Sequence, residues 1–517
     1  MMGEKMEKLA VQLKTKDKDF WIKTILFGAY LLVHFILCFC HEPWRDEAQA
    51  YLIVRDLSFS DMLRQLTVEG HPILWYLAMW IPVKLGLTVH YLSFVSFALS
   101  AIGTYVFIYK APFKTWAKAL ILPGMIFMYS LPIIARDYCL VALLLPLIAY
   151  YYDKRYEKPV IYGILIFLLL QVHVIMAGVA IMLAGVMLLE TLFDTDKRRK
   201  VSSYIPFSFG AAGTGALILQ LRAGSSLLDL NADNLDDFVL DILSNIPLFI
   251  RNMLVGCLDA VQWFWENPDR TLQKVIVVLL LIGILANIVL IKYYWRELLI
   301  ALGGIGAHVF IHMYIWGYIP QRTICTMFIY LIYVWMVCGR KQMVIKEKWA
   351  EKLSVVWKLY SVCMVIVLSV LSYPLAFNSI KADVTGNYSG AEETAEFIRD
   401  ELPEDAVVIA AAKDFYVTPI VAHYDESYDK IWNPMKLDYE KTFVDWNIRG
   451  HYVEGIDAVT ELIKAHFNEG DNLYILDAEG GTLIYEGLER YEVVYTQQDN
   501  PGVWGETYTI YKYKWNQ

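Results

Sequence analysis

The sequence predicts a polytopic α-helical membrane protein of about eleven transmembrane helices, followed by a C-terminal extracytoplasmic α/β domain. Three observations predict it. The 517 residues are 57% hydrophobic and 19% charged, where an average soluble domain has about 25% charged residues. Long apolar runs recur between residues 21 and 377 and then stop, the pattern of membrane helices followed by a soluble tail. The net charge of −9 is also unevenly spread. Residues 378–517 hold 27 acids against 11 Lys and Arg, so the membrane part is net basic. The acidic tail argues against a nucleic-acid partner, which needs a basic surface.

Residues 1–20 form a polar, Lys-rich cytoplasmic segment. Residues 21–40 are apolar and long enough to span. They end in Leu37-Cys38-Phe39-Cys40, which is no small-residue cleavage site, so the segment reads as an uncleaved first helix. The positive-inside rule puts its lysines in the cytoplasm and the first external loop, 41–90, outside. That loop mixes short polar and apolar stretches and suits amphipathic helices lying on the membrane. Residues 91–109 return the chain to Lys110, Lys114 and Lys118.

Lys118 and Lys154-Arg155 are then separated by a mostly apolar stretch too long for one crossing of a ~30 Å core at about 1.5 Å per residue. It reads as a hairpin turning outside, near Leu131-Pro132 to Arg136-Asp137. The same argument gives a hairpin over 159–196, turning at Gln171-Val172-His173. A third lies between Arg296 and Arg340, turning at Trp316 to Arg322. Residues 203–221 lead out and 271–291 lead in, around an external segment, 222–270, that carries Trp263-Phe264-Trp265 as an interfacial aromatic belt. Residues 355–377 are the last span. The transmembrane domain is thus 21–377 and the extracytoplasmic domain 378–517.

The tail alternates in character. Ser389-Gly390-Ala391-Glu392 reads as a capping box opening a helix to Glu401. Residues 406–412, 472–477, 491–496 and 507–515 are strand-like, and 456–467 is helical, which together make a small α/β domain. The seven cysteines all precede it, so no disulfide framework holds it.

This topology brings polar groups to one face: Asp46 and Glu47, Glu69 and His71, Arg136 and Asp137, Gln171 and His173, Gln321 and Arg322. Charges beside hydrocarbon are costly and mark function. Arginine fits a phosphate bidentately, and a carboxylate can take the proton of an attacking hydroxyl. Each residue also has a plainer role open to it. Asp46 is a good helix N-cap, the arginines can snorkel to the interface, and His173 can be a satisfied core histidine. His308 and His312 have the i, i+4 spacing of a metal pair, but no acid follows at a useful offset.

Trp44-Arg45-Asp46-Glu47-Ala48, followed by Glu69-Gly70-His71-Pro72-Ile73-Leu74-Trp75-Tyr76, resembles glycosyltransferases of the GT-C fold. Protein O-mannosyltransferases and lipid A aminoarabinose transferases belong to this superfamily. Arg136-Asp137-Tyr138 resembles the family's Arg-x-Tyr, and His173 a histidine opening a later helix. The family usually has His-Pro-Pro where this chain has His71-Pro72-Ile73. The resemblance implies transfer of a sugar from a polyprenyl-phosphate donor to a hydroxyl of a lipid, glycan or protein acceptor, with inversion, at the outer face of the plasma membrane. It implies Asp46 as the catalytic acid, with Glu47 beside it and Glu69 assisting on the acceptor side. His71, Arg136, His173, Gln321 and Arg322 are the candidates for binding substrate. No cofactor is demanded, although an acidic pair beside a phosphate would also accept a divalent metal. The competing classes are a transporter or lipid flippase, which calls for broken helices and polar groups at mid-membrane, and a non-catalytic scaffold displaying the tail.

Overall fold

The computed structural model describes residues 18–221, 235–253, 270–314, 325–340, 345–386, 388–411, 414–424, 430–439, 443–444, 455–478, 491–497 and 506–515. The chain is a bundle of apolar helices joined to a small C-terminal sheet region, as a membrane protein with a folded tail requires. Leu32, Phe35 and Ile36 on the first helix are large, apolar and exposed. Such a face is stable against hydrocarbon and not against water.

Among the described residues eleven spans do not form. Among the described residues six helices are long and apolar enough to cross a membrane: Lys18–Leu37, Val89–Lys110, Val174–Phe193, Val201–Leu221, Ile291–Tyr314 and Lys348–Val384. Tyr138–Tyr152, Pro159–Leu170 and Cys325–Gly339 are apolar but shorter. The 12 residues of Pro159–Leu170 extend only about 18 Å along a helix axis. Charge-bracketing assumed straight limbs, and the limb after Lys118 is not straight. Thr115–Ile121 ends before Leu122-Pro123-Gly124, a π-helical turn follows at Ile126–Ser130, and turns run on past Pro132. Proline cannot donate to a helix and clashes with the preceding turn. The external aromatic belt 263–265 and the turn 316–322 lie outside the described residues.

Irregular backbone inside a helical membrane bundle needs partners from its neighbours. Here Ser100 Oγ donates to the Leu131 carbonyl (2.9 Å) and Ser96 Oγ to that of Ile134 (3.1 Å). Ser372 Oγ accepts the Met125 N–H at 3.0 Å. His34 Nε2 lies 3.1 Å from the carbonyls of both Phe127 and Met128. Gly103 lets the serine-bearing helix close on its neighbour, since a Cβ there would stand 1.8 Å from the Ala142 carbonyl oxygen. The broken segment thereby holds Arg136 and Asp137 at the foot of the Tyr138–Tyr152 helix.

A separate group of basic residues gathers at the other end of the bundle. Arg155 pairs with Glu190 at 2.8 Å, and Arg296 contacts the same carboxylate. Arg340 reaches Glu297 at 3.2 Å, and Lys154 lies over the Tyr150 ring.

Among the described residues of the tail six strands form a sheet: β1 Val407–Ala410, β2 Ile431–Asn433, β3 Asp438–Tyr439, β4 Leu473–Ala478, β5 Tyr491–Thr496 and β6 Tyr508–Tyr513, in the order β3-β2-β1-β4-β6-β5. β1 pairs in parallel with β2 and β4, and the other pairings are antiparallel. β1 and β4 are almost continuously buried, as central parallel strands covered by helices should be. The expected capping box at Ser389 does not form. Gly390 occupies the N-cap, the Ser389 hydroxyl donates to Glu506 at 2.5 Å, and Glu392 pairs with His90 at 3.4 Å.

Glu506 and Glu392 also take part in an extensive contact between the tail and residues 38–90, the second through His90. Glu42 Oε2 accepts the N–H groups of Tyr388 (2.7 Å) and Ser389 (2.9 Å). Glu506 Oε1 accepts the Arg45 N–H at 2.9 Å. Arg55 Nη1 donates to the Tyr424 carbonyl at 2.6 Å. Burial pushes both carboxyls up to about 7, against the N–H and hydroxyl donors that favour their ionised forms. A carboxyl raised in the folded state contributes stability that is full below its unfolded value, near 4.5, and is lost as pH rises through about 7. The contact is therefore expected to loosen progressively between about pH 4.5 and pH 7. Hydrogen exchange of the 388–400 amides, corrected for intrinsic rate, checks this. Protection should fall across that interval in the native chain and fall less in Glu506→Gln.

A candidate active site where the first loop meets the tail

The Arg45–Asp56 helix positions two adjacent acids differently. Its first turn is capped by Glu47, whose Oε2 accepts the Trp44 N–H at 3.0 Å. Asp46 is not the cap. Glu47 is fully buried; its Oε1 lies 3.0 Å from His41 Nε2 and also accepts the Ala135 N–H. His41 Nδ1 in turn lies 3.1 Å from both oxygens of Asp383. Burial alone would lower the His41 pKa, but the charges of Glu47 and Asp383 outweigh it and raise it well above the ordinary histidine value. An imidazolium held between two carboxylates thus ties the end of the first helix, the 45–56 helix, the Ala135 turn and the end of the last membrane helix together. Glu47, expected beside Asp46 in the catalytic group, is turned into this anchor.

Asp46 faces the other way and keeps about a third of its side chain exposed (32%), with the Arg45 Nε 3.8 Å from its Oδ1. Arg136, 7% exposed, donates through Nη1 to the Asp46 carbonyl and through Nη2 to His71 Nε2 at 2.9 Å. Burial opposes its charge, but Asp46 and Asp137 more than restore it, so the guanidinium stays ionised. Guanidinium nitrogens only donate. His71 Nε2 must therefore be the acceptor, and the ring proton sits on Nδ1, which faces Asp137 Oδ2 at 3.8 Å. His173 Nε2 lies 4.0 Å from the same oxygen. The two histidine rings meet edge to face at 5.0 Å, and Tyr138 stacks on His173 at 5.4 Å.

Glu69 ends the Phe59–Glu69 helix, where Gly70 takes the left-handed C-cap (φ 72°) that only glycine adopts without strain. Its Oε1 accepts from Gln49 (3.0 Å) and Gln65 (2.8 Å). Tyr76, on the next helix, feels Glu69, Arg136, Asp137 and Asp46. Burial first, and then the Glu69 charge, hold its phenol well above the usual range, so it stays protonated. Gln171 anchors the neighbouring backbone, its carbonyl accepting the Leu74 N–H at 3.1 Å and its amide donating to Gly213 at 3.1 Å.

The structure thus brings together Asp46, His71, Arg136 and His173, with Glu69 at the rim. Gln321 and Arg322 lie outside the described residues. The sequence pattern marked Asp137 as one of the polar groups on this face without giving it a role of its own, and gave none to Tyr76. Both stand within the quoted stretches, so their proximity to the site was the available signal. His308 and His312 lie buried along one helix with ring centroids 4.7 Å apart.

His71, Asp137 and His173 offer ligand atoms within 4.8 Å of one another, a span that fits a divalent cation. The chemistry fits less well. The His71 nitrogen nearest Asp137 carries the proton while Arg136 donates to the other one, and a cation there would also sit beside a guanidinium. In this arrangement a metal would first have to displace Arg136.

Fold and site define a polytopic membrane protein carrying a cluster of acids, arginine and histidines at one end of its helical bundle. The chain matches no protein-family model, and no curated protein matches it.

Proposed function

We propose that this is a membrane glycosyltransferase of the GT-C kind, moving a sugar from a polyprenyl-phosphate donor to an acceptor hydroxyl on the outer face of the cell membrane. One observation carries the reading: a partly exposed Asp46 carboxylate beside a fixed Arg136, in a cluster with His71, Asp137 and His173. The group of Lys154, Arg155, Arg296 and Arg340 at the opposite end of the bundle supports an outward-facing site, because positive charge flanking the spans favours the cytoplasm.

In this reading Asp46 takes the proton from the acceptor hydroxyl. The oxygen attacks the anomeric carbon, the bond to the phosphate oxygen breaks, and the electron pair leaves on the phosphate. One displacement inverts the anomeric centre. Arg136 stabilises the departing charge, an electrostatic contribution that is typically the largest in such reactions. Arg322 remains a second candidate for this role from its place in the sequence. Glu69 orients the acceptor.

Membranes containing the protein, compared with membranes lacking it, test the reading with a panel of radiolabelled polyprenyl-phosphate sugars. Label passing from one donor to a water-soluble, lipid or protein acceptor is the expected result. Translocation of the labelled lipid with no transfer from any donor would overturn it in favour of a flippase.

A further inference from the structure

We propose that the tail is a working part of the membrane-surface site, docking on the 38–88 segment so that Arg45 holds Asp46 and Gln49 holds Glu69. The proposal rests on the reading of Asp46 and Glu69 as reacting groups. It adds two positioning residues and gives the tail a task.

Arg45 and Gln49 are four apart on the Arg45–Asp56 helix and therefore share a face. Each has one hand on the tail and the other on an acid. The Arg45 guanidinium lies over the rings of Tyr416 (5.3 Å) and Phe415 (5.6 Å), on the tail helix Asp414–Ala422, as well as over its own neighbour Trp44 (5.6 Å). Its backbone N–H donates to the fully buried Glu506, and its Nε stands 3.8 Å from Asp46. Gln49 works the same way. Its Oε1 accepts the Val444 N–H at 2.8 Å, while its Nε2 donates to the Val444 carbonyl (3.1 Å) and to Glu69 (3.0 Å).

An arginine side chain is long and mobile in water. The ring faces of Phe415 and Tyr416 restrict where its charge can go. A glutamine amide that spends one acceptor and one donor on a backbone segment has a fixed plane, so its remaining donor points at Glu69 by geometry. If the tail served only as a separate module, neither link would need to end on an acid of the site.

The test uses the full-length protein with Asp46→Cys, reading alkylation of the introduced thiol against pH by site-resolved mass spectrometry. A nearby guanidinium lowers a thiol's pKa. Phe415→Leu with Tyr416→Leu removes the ring faces while keeping apolar volume. The midpoint is expected to move up by roughly half to one pH unit. Lys514→Ala, which breaks an ion pair between the residue after β6 and Glu492 of β5, should leave it unchanged. Should the double variant not fold, Phe415→Leu alone, at a half-buried position, carries the measurement. An unmoved midpoint in the folded variant overturns the proposal. This arm involves no sugar transfer, so it decides the docking even if the glycosyltransferase reading fails. In the transfer assay Gln49→Leu should lower kcat about tenfold while leaving the donor KM unchanged. Unchanged kcat would remove Gln49 from the proposal.

Discussion

On the proposed function, Asp46→Asn should abolish sugar transfer while leaving the protein folded. General-base catalysis contributes about 10²–10⁴ in rate, and an amide cannot accept the acceptor's proton. A loss of about a thousandfold is therefore expected. Stability should hardly change. The Asp46 side chain is a third exposed, it does not cap its helix, and the contact that fixes Arg136 here is made by the Asp46 backbone carbonyl, which the substitution preserves. The check is initial-rate transfer in membranes matched for protein amount, with the thermal midpoint measured in detergent. Transfer within tenfold of the native rate would remove Asp46 as the base.

Glu47→Ala should do the reverse: it should cost the fold. The carboxylate is fully buried and receives three partners, His41, the Trp44 N–H and the Ala135 N–H. Removing one member of a buried, hydrogen-bonded charge cluster costs about 3–5 kcal/mol, because the groups left behind remain desolvated. His41 would keep only Asp383, and two backbone donors would lose their acceptor. The expected outcome is a large drop in thermal midpoint and little monodisperse protein on size exclusion. A thermal midpoint within a few degrees of native would show that the His41 anchor does not hold the segment. The two neighbouring acids would then be indistinguishable by stability, contrary to the geometry.

Much of the architecture was legible in the sequence because it is local. Apolar runs became helices, and the tail strands Leu473–Ala478, Tyr491–Thr496 and Tyr508–Tyr513 lie where alternation and β-branched or aromatic residues put them. The count of spans was not legible. It was inferred from charge spacing, which measures contour length and not path, and Pro123, Gly124 and Pro132 break the path between Lys118 and Arg136. The capping box at Ser389 failed for a related reason. Its local pattern was sound, but Glu506 and His90, each distant in sequence, offered better partners.

The sequence by itself determined that the chain enters a membrane, that its last 140 or so residues differ in kind, and that polar groups stand out around Asp46, His71, Arg136 and His173. Only the tertiary structure decided between Asp46 and Glu47. Adjacent residues on a helix point about 100° apart, so two acids of the same chemistry face different surroundings, and no local pattern says which surroundings those are. Only the tertiary structure, too, revealed the anchor through Asp383 and the tail's hold on Arg45 and Gln49. Those contacts span hundreds of residues, and they exist because burial makes a polar group in a dry contact find a partner wherever the fold brings one.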